Sequence, residues 1–239
     1  PMKHRNIRGK MLYTSKKPDR MDQERGREFF HFTHHTDGKV TIRANCEIED
    51  HPSVLRDIVY SLDETGYPTD CHVRLTLDDT FLGSGWFRIT KEFIECESIS
   101  PDLGRVSQRV DLDEPIDGFG THPVVCDGYL LKVMDRSKGP HKSKVNCYLP
   151  SPDHRGATAP LLARVNIGTE YVGDEEITVK AGTFEAHHFR FIDDGTAGMD
   201  GQHPPYDVWV TADDDFIMLQ GGVAEPMATW YELEWLERD

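Results

Sequence analysis

Short runs of alternating apolar and polar residues, each bounded by turn residues, recur along most of the chain. Alternation with a period of two is the pattern of a β-strand with one buried face, and even spacing of such runs indicates an antiparallel meander. We therefore predict an all-β fold in which an antiparallel meander forms a barrel or a strongly curved sheet. The runs lie at 29–35, 40–48, 57–62, 71–77, 85–90, 93–98, 105–110, 175–180, 183–191, 207–211, 216–219 and 229–236.

The middle of the chain interrupts this pattern. Pro, Gly and charged residues dominate much of 113–160, and the segment 124–133 has the composition of one short helix. We interpret 113–160 as a connector or lid between halves at 28–112 and 161–239 of one β domain spanning 28–239. Similar strand-like segments in the two halves are compatible with two related halves.

The charge is distributed unevenly. The net charge is −15, yet residues 1–28 carry nine Lys or Arg against four Asp or Glu. We predict that 1–27 is a flexible basic arm, either a solvated tail or a segment lying on the acidic body of the same or a neighbouring subunit. The acidic body argues against a nucleic-acid partner, because phosphate contacts need clustered cations.

The five cysteines are odd in number, widely spaced and without a C-x-x-C pair. This usage is typical of reduced core thiols, and together with the lack of an apolar leader or membrane-length run it favours a cytoplasmic protein with no membrane partner. No dinucleotide, Walker or nucleophile-elbow motif occurs, and the histidines at 31–35 lack a third ligand nearby. We therefore expect no cofactor and no metal.

The segment from 29 to 48 is predicted to be a hairpin around Asp37-Gly38. Reading alternation through the turn groups Phe29 and His31 with Val40 and Ile42 on one face. The opposite face mixes aromatic rings with polar groups, which suits a ligand; an exposed polar sheet face is the alternative. The candidate ligand-binding residues on that face are Phe30, Phe32 and His34, with Arg43 as a candidate catalytic cation.

A second hairpin spans 175–191. If its loop is Ala181-Gly182, then Glu175 lies opposite His188 at the end of the apolar face. A carboxylate beside an imidazole fixes its tautomer and raises its basicity, so His188 with Glu175 is the candidate general base. A histidine held by a structural partner is the alternative interpretation.

Further candidates come from other strand-like runs. Arginines that line a sheet interior would be costly without an anionic partner, so we expect them to meet a carboxylate or to stabilise an oxyanion. The catalytic candidates are Arg74 and Arg88, beside Arg43, and the additional ligand-binding candidates are His72, Trp86, Tyr206 and Trp209.

The segment 173–184, with Asp207-Val208-Trp209-Val210 and Tyr231-Glu232-Leu233, resembles a large bacterial group of uncharacterised proteins. The resemblance covers the last third of the chain. It implies a lipocalin-like curved antiparallel sheet, and because its motifs are structural it implies no catalytic residue. Many members of that group are exported, whereas the features above favour a cytoplasmic protein.

Three functions fit these expectations. The first is a cofactor-independent lyase, dehydratase or isomerase that uses general acid–base chemistry on a small hydrophobic, aromatic or polycyclic molecule in a β-lined pocket. The second is a non-catalytic carrier of such a molecule. The third is an oligomeric assembly protein, in which a sheet edge or the basic arm binds another subunit.

Overall fold

A computed structural model describes residues 3–153, 155–199 and 201–239. These residues form a nearly all-β structure with a short helix, as the sequence predicts. The strands are β1 (Arg5–Ser15), β2 (Glu24–His34), β3 (Val40–Ile48), β4 (Val54–Leu62), β5 (Pro68–Leu77), β6 (Thr80–Ile89), β7 (Phe93–Ser100), β8 (Gly104–Asp111), β9 (Gly118–Phe119), β10 (His141–Leu149), β11 (Ala163–Val179), β12 (Gly182–Ile192), β13 (Tyr206–Thr211), β14 (Met218–Val223) and β15 (Thr229–Arg238). The helix α1 is Val124–Leu130, and single 3-10 turns occupy Pro18–Arg20, Leu131–Val133 and Arg136–Lys138.

In the described residues the fifteen strands belong to one sheet, in the order β8-β7-β6-β5-β4-β3-β2-β1-β15-β14-β13-β12-β11-β10-β9. Neighbours pair antiparallel, except that β9 pairs parallel with β10. The antiparallel meander is confirmed, and the sheet is strongly curved but open because β8 and β9 are its two ends. The segment predicted to be a connector supplies β9 and β10 as well as α1, so it contributes to the sheet.

The N-terminal segment is a central strand. β1 pairs with β2 on one side and with β15 on the other, and this contact joins the two halves of the sheet. Ile7, Met11 and Tyr13 are buried on its inner face. The prediction of a flexible arm at 1–27 is therefore wrong for the described part of that segment, because alternate apolar side chains anchor it in the sheet.

The sheet curves around α1. The ring of Phe119 in β9 lies 5.4 Å from that of Phe87 in β6, although these strands are far apart in the sheet order. Helix α1 contacts both sides of the curve. On one side the ring of Tyr129 lies 5.6 Å from that of Phe32 in β2. On the other side Gly128 packs closely on β13, since a Cβ added to Gly128 would lie only 3.0 Å from the Val210 side chain. The inner face of the sheet and α1 therefore share one apolar core.

Residues 155–162 cover the inner side of the first half. Buried Arg56 of β4 donates through Nη2 to the carbonyl of Arg155 at 2.7 Å, and the backbone N–H of Leu162 donates to Oε1 of Gln108 in β8 at 2.9 Å. Between these points Pro160 packs on β6, where a Cβ on Gly85 would lie 2.6 Å from the Pro160 ring. Glycine at position 85 therefore makes this close approach possible.

The face assignment for the first hairpin is wrong. Phe30 pairs with Ala44 and Phe32 with Ile42, because the loop has five residues, 35–39, between His34 and Val40. A change of one residue in loop length moves every side chain of a strand to the other face relative to its partner. Phe30 and Phe32 consequently share the buried inner face with Ile42, while His31 and Arg43 lie outside.

All five cysteines are buried and carry free thiols. Among residues 3–153, 155–199 and 201–239, the structure contains no helix long and apolar enough to cross a membrane.

Candidate ligand-binding site

A cavity of about 460 Å³ lies between the end of α1 and the strands β3 and β4. This volume is in the range of small-molecule sites. Its wall includes Tyr60 of β4, Phe119 of β9 and Tyr129 of α1, and burial raises the pKa of Tyr60 well above its ordinary value and that of Tyr129 to about 12. Both phenols are therefore neutral at physiological pH, and this part of the wall is uncharged and aromatic.

The mouth of this cavity carries charges of both signs. Both guanidinium nitrogens of Arg5 donate to the carboxylate of Asp215, at 2.6 and 3.2 Å. Burial opposes ionisation of Asp215, but the hydrogen bond and the charge of Arg5 outweigh it and lower its pKa. Lys132 Nζ donates to the carbonyl of Asp214 at 2.6 Å and lies 5.3 Å from the Tyr129 ring. Other carboxylates in the lining are Asp63, Glu64 and Asp117.

A second cavity, of about 90 Å³, adjoins the first. Leu130, the last residue of α1, lines both cavities and therefore forms part of the wall between them. The position of its side chain depends on Gly118 of β9, because a Cβ there would lie 2.1 Å from Leu130 Cδ1. The polar groups of the smaller cavity are Asp127, Tyr206, His122 and His203.

Asp127 is the inward carboxyl of this smaller cavity. Tyr206 Oη donates to its Oδ2 at 3.3 Å. Burial and, next, the nearby carboxylate of Glu28 raise the pKa of Asp127 well above its ordinary value, against the smaller opposing effects of Tyr206 and Arg56. The carboxyl is therefore more readily protonated than an ordinary aspartate, and in that form it carries a hydrogen-bond donor.

Glu28 of β2 fixes the start of α1. Its Oε1 accepts hydrogen bonds from the Tyr13 hydroxyl at 2.6 Å and the Val124 N–H at 2.9 Å, and its Oε2 accepts from the Val125 N–H at 3.0 Å. The Cys46 thiol also donates to Oε1, at 3.3 Å. Burial raises the pKa of Glu28, and these hydrogen bonds act in the opposite direction. One carboxylate therefore satisfies four donors and holds the helix that lines both cavities.

The structure places four of the candidate site residues on the inner side of the sheet. Phe30 and Phe32 are core residues, with Phe32 packed on Tyr129. His34 lines the larger cavity, and its Nε2 lies 3.9 Å from Asp215 Oδ1. Tyr206 lines the smaller cavity.

The remaining candidates lie on the outer face, where they alternate with buried neighbours. Because the second hairpin turns at Lys180-Ala181, Glu175 pairs with Ala186 and His188 pairs with Gly173. The predicted pairing of His188 with Glu175 is therefore wrong: His188 Nε2 instead contacts Asp207 Oδ1 at 2.8 Å. The outer-face candidates are Arg43, His72, Arg74, Trp86, Arg88, Glu175, His188 and Trp209.

The outer-face candidates do not converge. The ring of His188 stacks on Trp209 at 4.0 Å, and the Trp209 Nε1–H donates to Glu175 at 2.7 Å, so these three form one local cluster. Arg43 belongs to β3, six places from β12 in the sheet order, which is roughly 29 Å along the sheet at about 4.8 Å per strand. The structure thus separates the arginines from the histidine that they were expected to assist.

Sequence reasoning missed the inner carboxyls. Glu28 precedes Phe30 and Phe32 with a spacing of two, so a carboxylate falls on an otherwise aromatic face. Asp127 is the acidic residue within the apolar run from 124 to 131. An ionisable group at an apolar position is rarely buried without a partner or a function, and this was the available signal.

No protein-family model and no curated protein matches this chain. The fold is similar to the crystal structure of a β-barrel-like protein of a domain of unknown function, DUF1849, from Brucella abortus, with a TM-score of 0.62 and 11% sequence identity over 98% of each chain. At this identity the likeness concerns the fold alone. It extends over nearly the whole chain, so a resemblance limited to the last third is not supported.

Proposed function

We propose that the protein binds a small hydrophobic molecule in the cavity of about 460 Å³ between α1 and the β3–β4 strands. The observation that carries this proposal is a cavity of ligand size whose wall includes the aromatic rings of Tyr60, Phe119 and Tyr129. The charged mouth and the apolar interior suit a molecule whose apolar body is buried and whose polar part remains near the solvent. This is the carrier function that the sequence offered as an alternative.

Blocking the mouth of the cavity tests the proposal. Val133 lines the cavity and is 47% exposed, so Val133→Trp places an indole at the mouth without disturbing the core. N-phenyl-1-naphthylamine, an uncharged aromatic probe that fluoresces in apolar surroundings, is expected to bind the wild type and to lose about tenfold in affinity in this variant, equivalent to about 1.4 kcal/mol.

Val59→Trp is the matched control. Val59 is 39% exposed on the outer face of β4, so the same substitution adds the same surface area away from the cavity. Probe affinity in this variant is expected to stay within about twofold of the wild type. Absence of probe binding to the wild type, or equal losses in both variants, would count against the cavity as the binding site.

Acid–base catalysis by a cofactor-independent lyase or isomerase is the second candidate function. The observation that favours it is Asp127, an interior carboxyl with a raised pKa beside the Tyr206 hydroxyl and next to the larger cavity. Such a group resembles a general acid. This activity stays a prediction, as does an assembly role.

A further inference from the structure

The smaller cavity has the chemistry of a polar subsite. Most of its wall is apolar, with Leu149 from β10 and Val165 and Ile167 from β11. Two polar groups face it, the carboxyl of Asp127 from α1 and the hydroxyl of Tyr206 from β13. A volume of about 90 Å³ is close to that of three water molecules at about 30 Å³ each, enough for a functional group. The cavity is therefore suited to one end of a ligand.

We propose that this smaller cavity binds the carbonyl- or hydroxyl-bearing end of an uncharged ligand, with Asp127 as the hydrogen-bond donor and Leu130 as the side chain that separates this end from the apolar body. The inference rests on the proposed function, because the apolar body would occupy the larger cavity. It adds the chemical class of the ligand, a hydrophobic molecule with one terminal oxygen acceptor.

The hydrogen-bond geometry assigns the donor. The Tyr206 hydroxyl donates to Oδ2 of Asp127, so a protonated Asp127 retains its own O–H for a ligand acceptor. Burial and the charge of Glu28 both favour that protonated form. A neutral acceptor suits this arrangement better than an anionic group, because a ligand carboxylate would add negative charge near Glu28 and disfavour burial in this apolar wall.

Leu130 supplies the connection. It lines both cavities from the C-terminal end of α1, and its Cδ1 occupies the space that Gly118 leaves open. Leucine side chains change rotamer at low cost, and a rotation here would join the two spaces without movement of the sheet. A ligand longer than the larger cavity could then extend past Leu130 to Asp127.

Two probes that differ by one carbonyl oxygen test the inference. Prodan is an uncharged naphthalene with a propionyl ketone, and 2-dimethylamino-6-propylnaphthalene is the same molecule with a CH2 in place of the carbonyl. The wild type is expected to bind prodan about tenfold more tightly, because a buried hydrogen bond to the ketone contributes on that scale. Prodan emission should also lie further to the red than in a variant that lacks the donor.

Three variants locate the donor. Asp127→Leu, which removes it at similar size, should abolish the preference for prodan, so that the two probes bind with similar affinity. Asp127→Asn keeps an N–H donor and should retain most of the preference. Asp57→Leu on the exposed outer face of β4 is the matched control and should behave as the wild type.

The outcomes separate the two proposals. If both probes bind the wild type equally, or if the preference survives in Asp127→Leu, the subsite is wrong while the larger cavity remains a binding site. If Asp127→Leu does not fold, Asp127→Ala replaces it, and an unchanged preference there overturns the assignment. If neither these probes nor N-phenyl-1-naphthylamine binds the wild type, the proposed function fails and the subsite with it.

Discussion

Replacing Glu28 by alanine is expected to lower the free energy of unfolding by about 4 kcal/mol, a large part of the stability of a typical domain. The substitution leaves the backbone N–H groups of Val124 and Val125 and the Tyr13 hydroxyl without their acceptor inside the core. Each unsatisfied buried donor costs about 1–3 kcal/mol. Urea unfolding followed by circular dichroism would measure the change.

A surface carboxylate gives the control for this experiment. Glu47 of β3 forms a half-buried ion pair with Arg27 at 2.6 Å on the outer face, and Arg27 keeps Glu24 and Glu49 as partners when Glu47 is removed, so the loss should be about 0–1 kcal/mol. Glu47→Ala should therefore have a small effect. Glu28→Gln keeps one acceptor oxygen and should lose about half as much stability as Glu28→Ala. If Glu28→Ala and Glu47→Ala unfold alike, Glu28 is not the anchor of α1.

The same substitution should also weaken ligand binding. Helix α1 contributes Cys126, Tyr129 and Leu130 to the larger cavity and Asp127 to the smaller one, so both sites depend on its position. The link between anchoring and binding explains why a carboxylate occupies an aromatic face: its role is to hold the helix that shapes the interior, and an apolar residue there would leave two helix N–H groups unpaired.

The positions of the strands could be predicted from the sequence, but the face of the sheet on which each side chain lies could not. Alternation is a local property and identifies the segments correctly, whereas the assignment of faces across a hairpin depends on the number of loop residues. The turn at 35–39 is one residue longer than expected, and this difference reverses a face. The turn at Lys180-Ala181 has the expected two residues but begins one residue earlier, so each cross-strand pair shifts by two residues without a change of face. His188 was assigned to the buried face by extending the alternation beyond Ala186, whereas the buried positions of β12 pass from Ala186 to Phe189 and Phe191 and leave His188 outside beside Trp209.

The basic charge of the N-terminal segment concealed a strand. In β1 Arg8 and Lys10 lie on the outer face and pair with acidic residues near the other end of the chain, as Lys10 does with Glu234 of β15 at 2.7 Å, while Ile7 and Met11 lie inside. Charge composition counts the residues of both strand faces together, so the excess of cations in this segment was interpreted as a flexible tail. The partner strand is more than two hundred residues away, and no local pattern identifies such a pairing.

The two cavities and the Glu28 cluster show a different limit of prediction from sequence. Their residues come from elements that include α1, β1, β2, β4 and β13, and only the curvature of the sheet brings these elements together. Each candidate that sequence patterns favoured was a chemically conspicuous side chain on a strand. Glu28 and Asp127 are less conspicuous in the sequence, and their importance arises from burial, which depends on the complete fold.

Removing the carboxyl of Asp127 is expected to change how stability depends on pH. A carboxyl whose pKa is raised in the folded state retains a proton that the unfolded chain releases above about pH 3.9. Its contribution to stability is fully present below that value and is lost as the pH rises through the folded pKa. The unfolding free energy of the wild type should therefore fall with rising pH, relative to Asp127→Asn, by up to about 1.4 kcal/mol per pH unit.

Urea unfolding of both proteins at each pH unit from 4 to 8 measures this difference. The charged and titratable groups around Asp127 include Glu28, Tyr206, Arg56, Tyr231 and the two histidines of the smaller cavity, His122 and His203. They are identical in the two proteins, so the difference between the curves reports Asp127 and its coupling to them. Asp57→Asn, which removes an exposed carboxylate on the outer face of β4, is the matched control. A flat difference for Asp127→Asn would mean that Asp127 ionises as an ordinary surface aspartate, and it would then be a poor hydrogen-bond donor for a ligand at neutral pH.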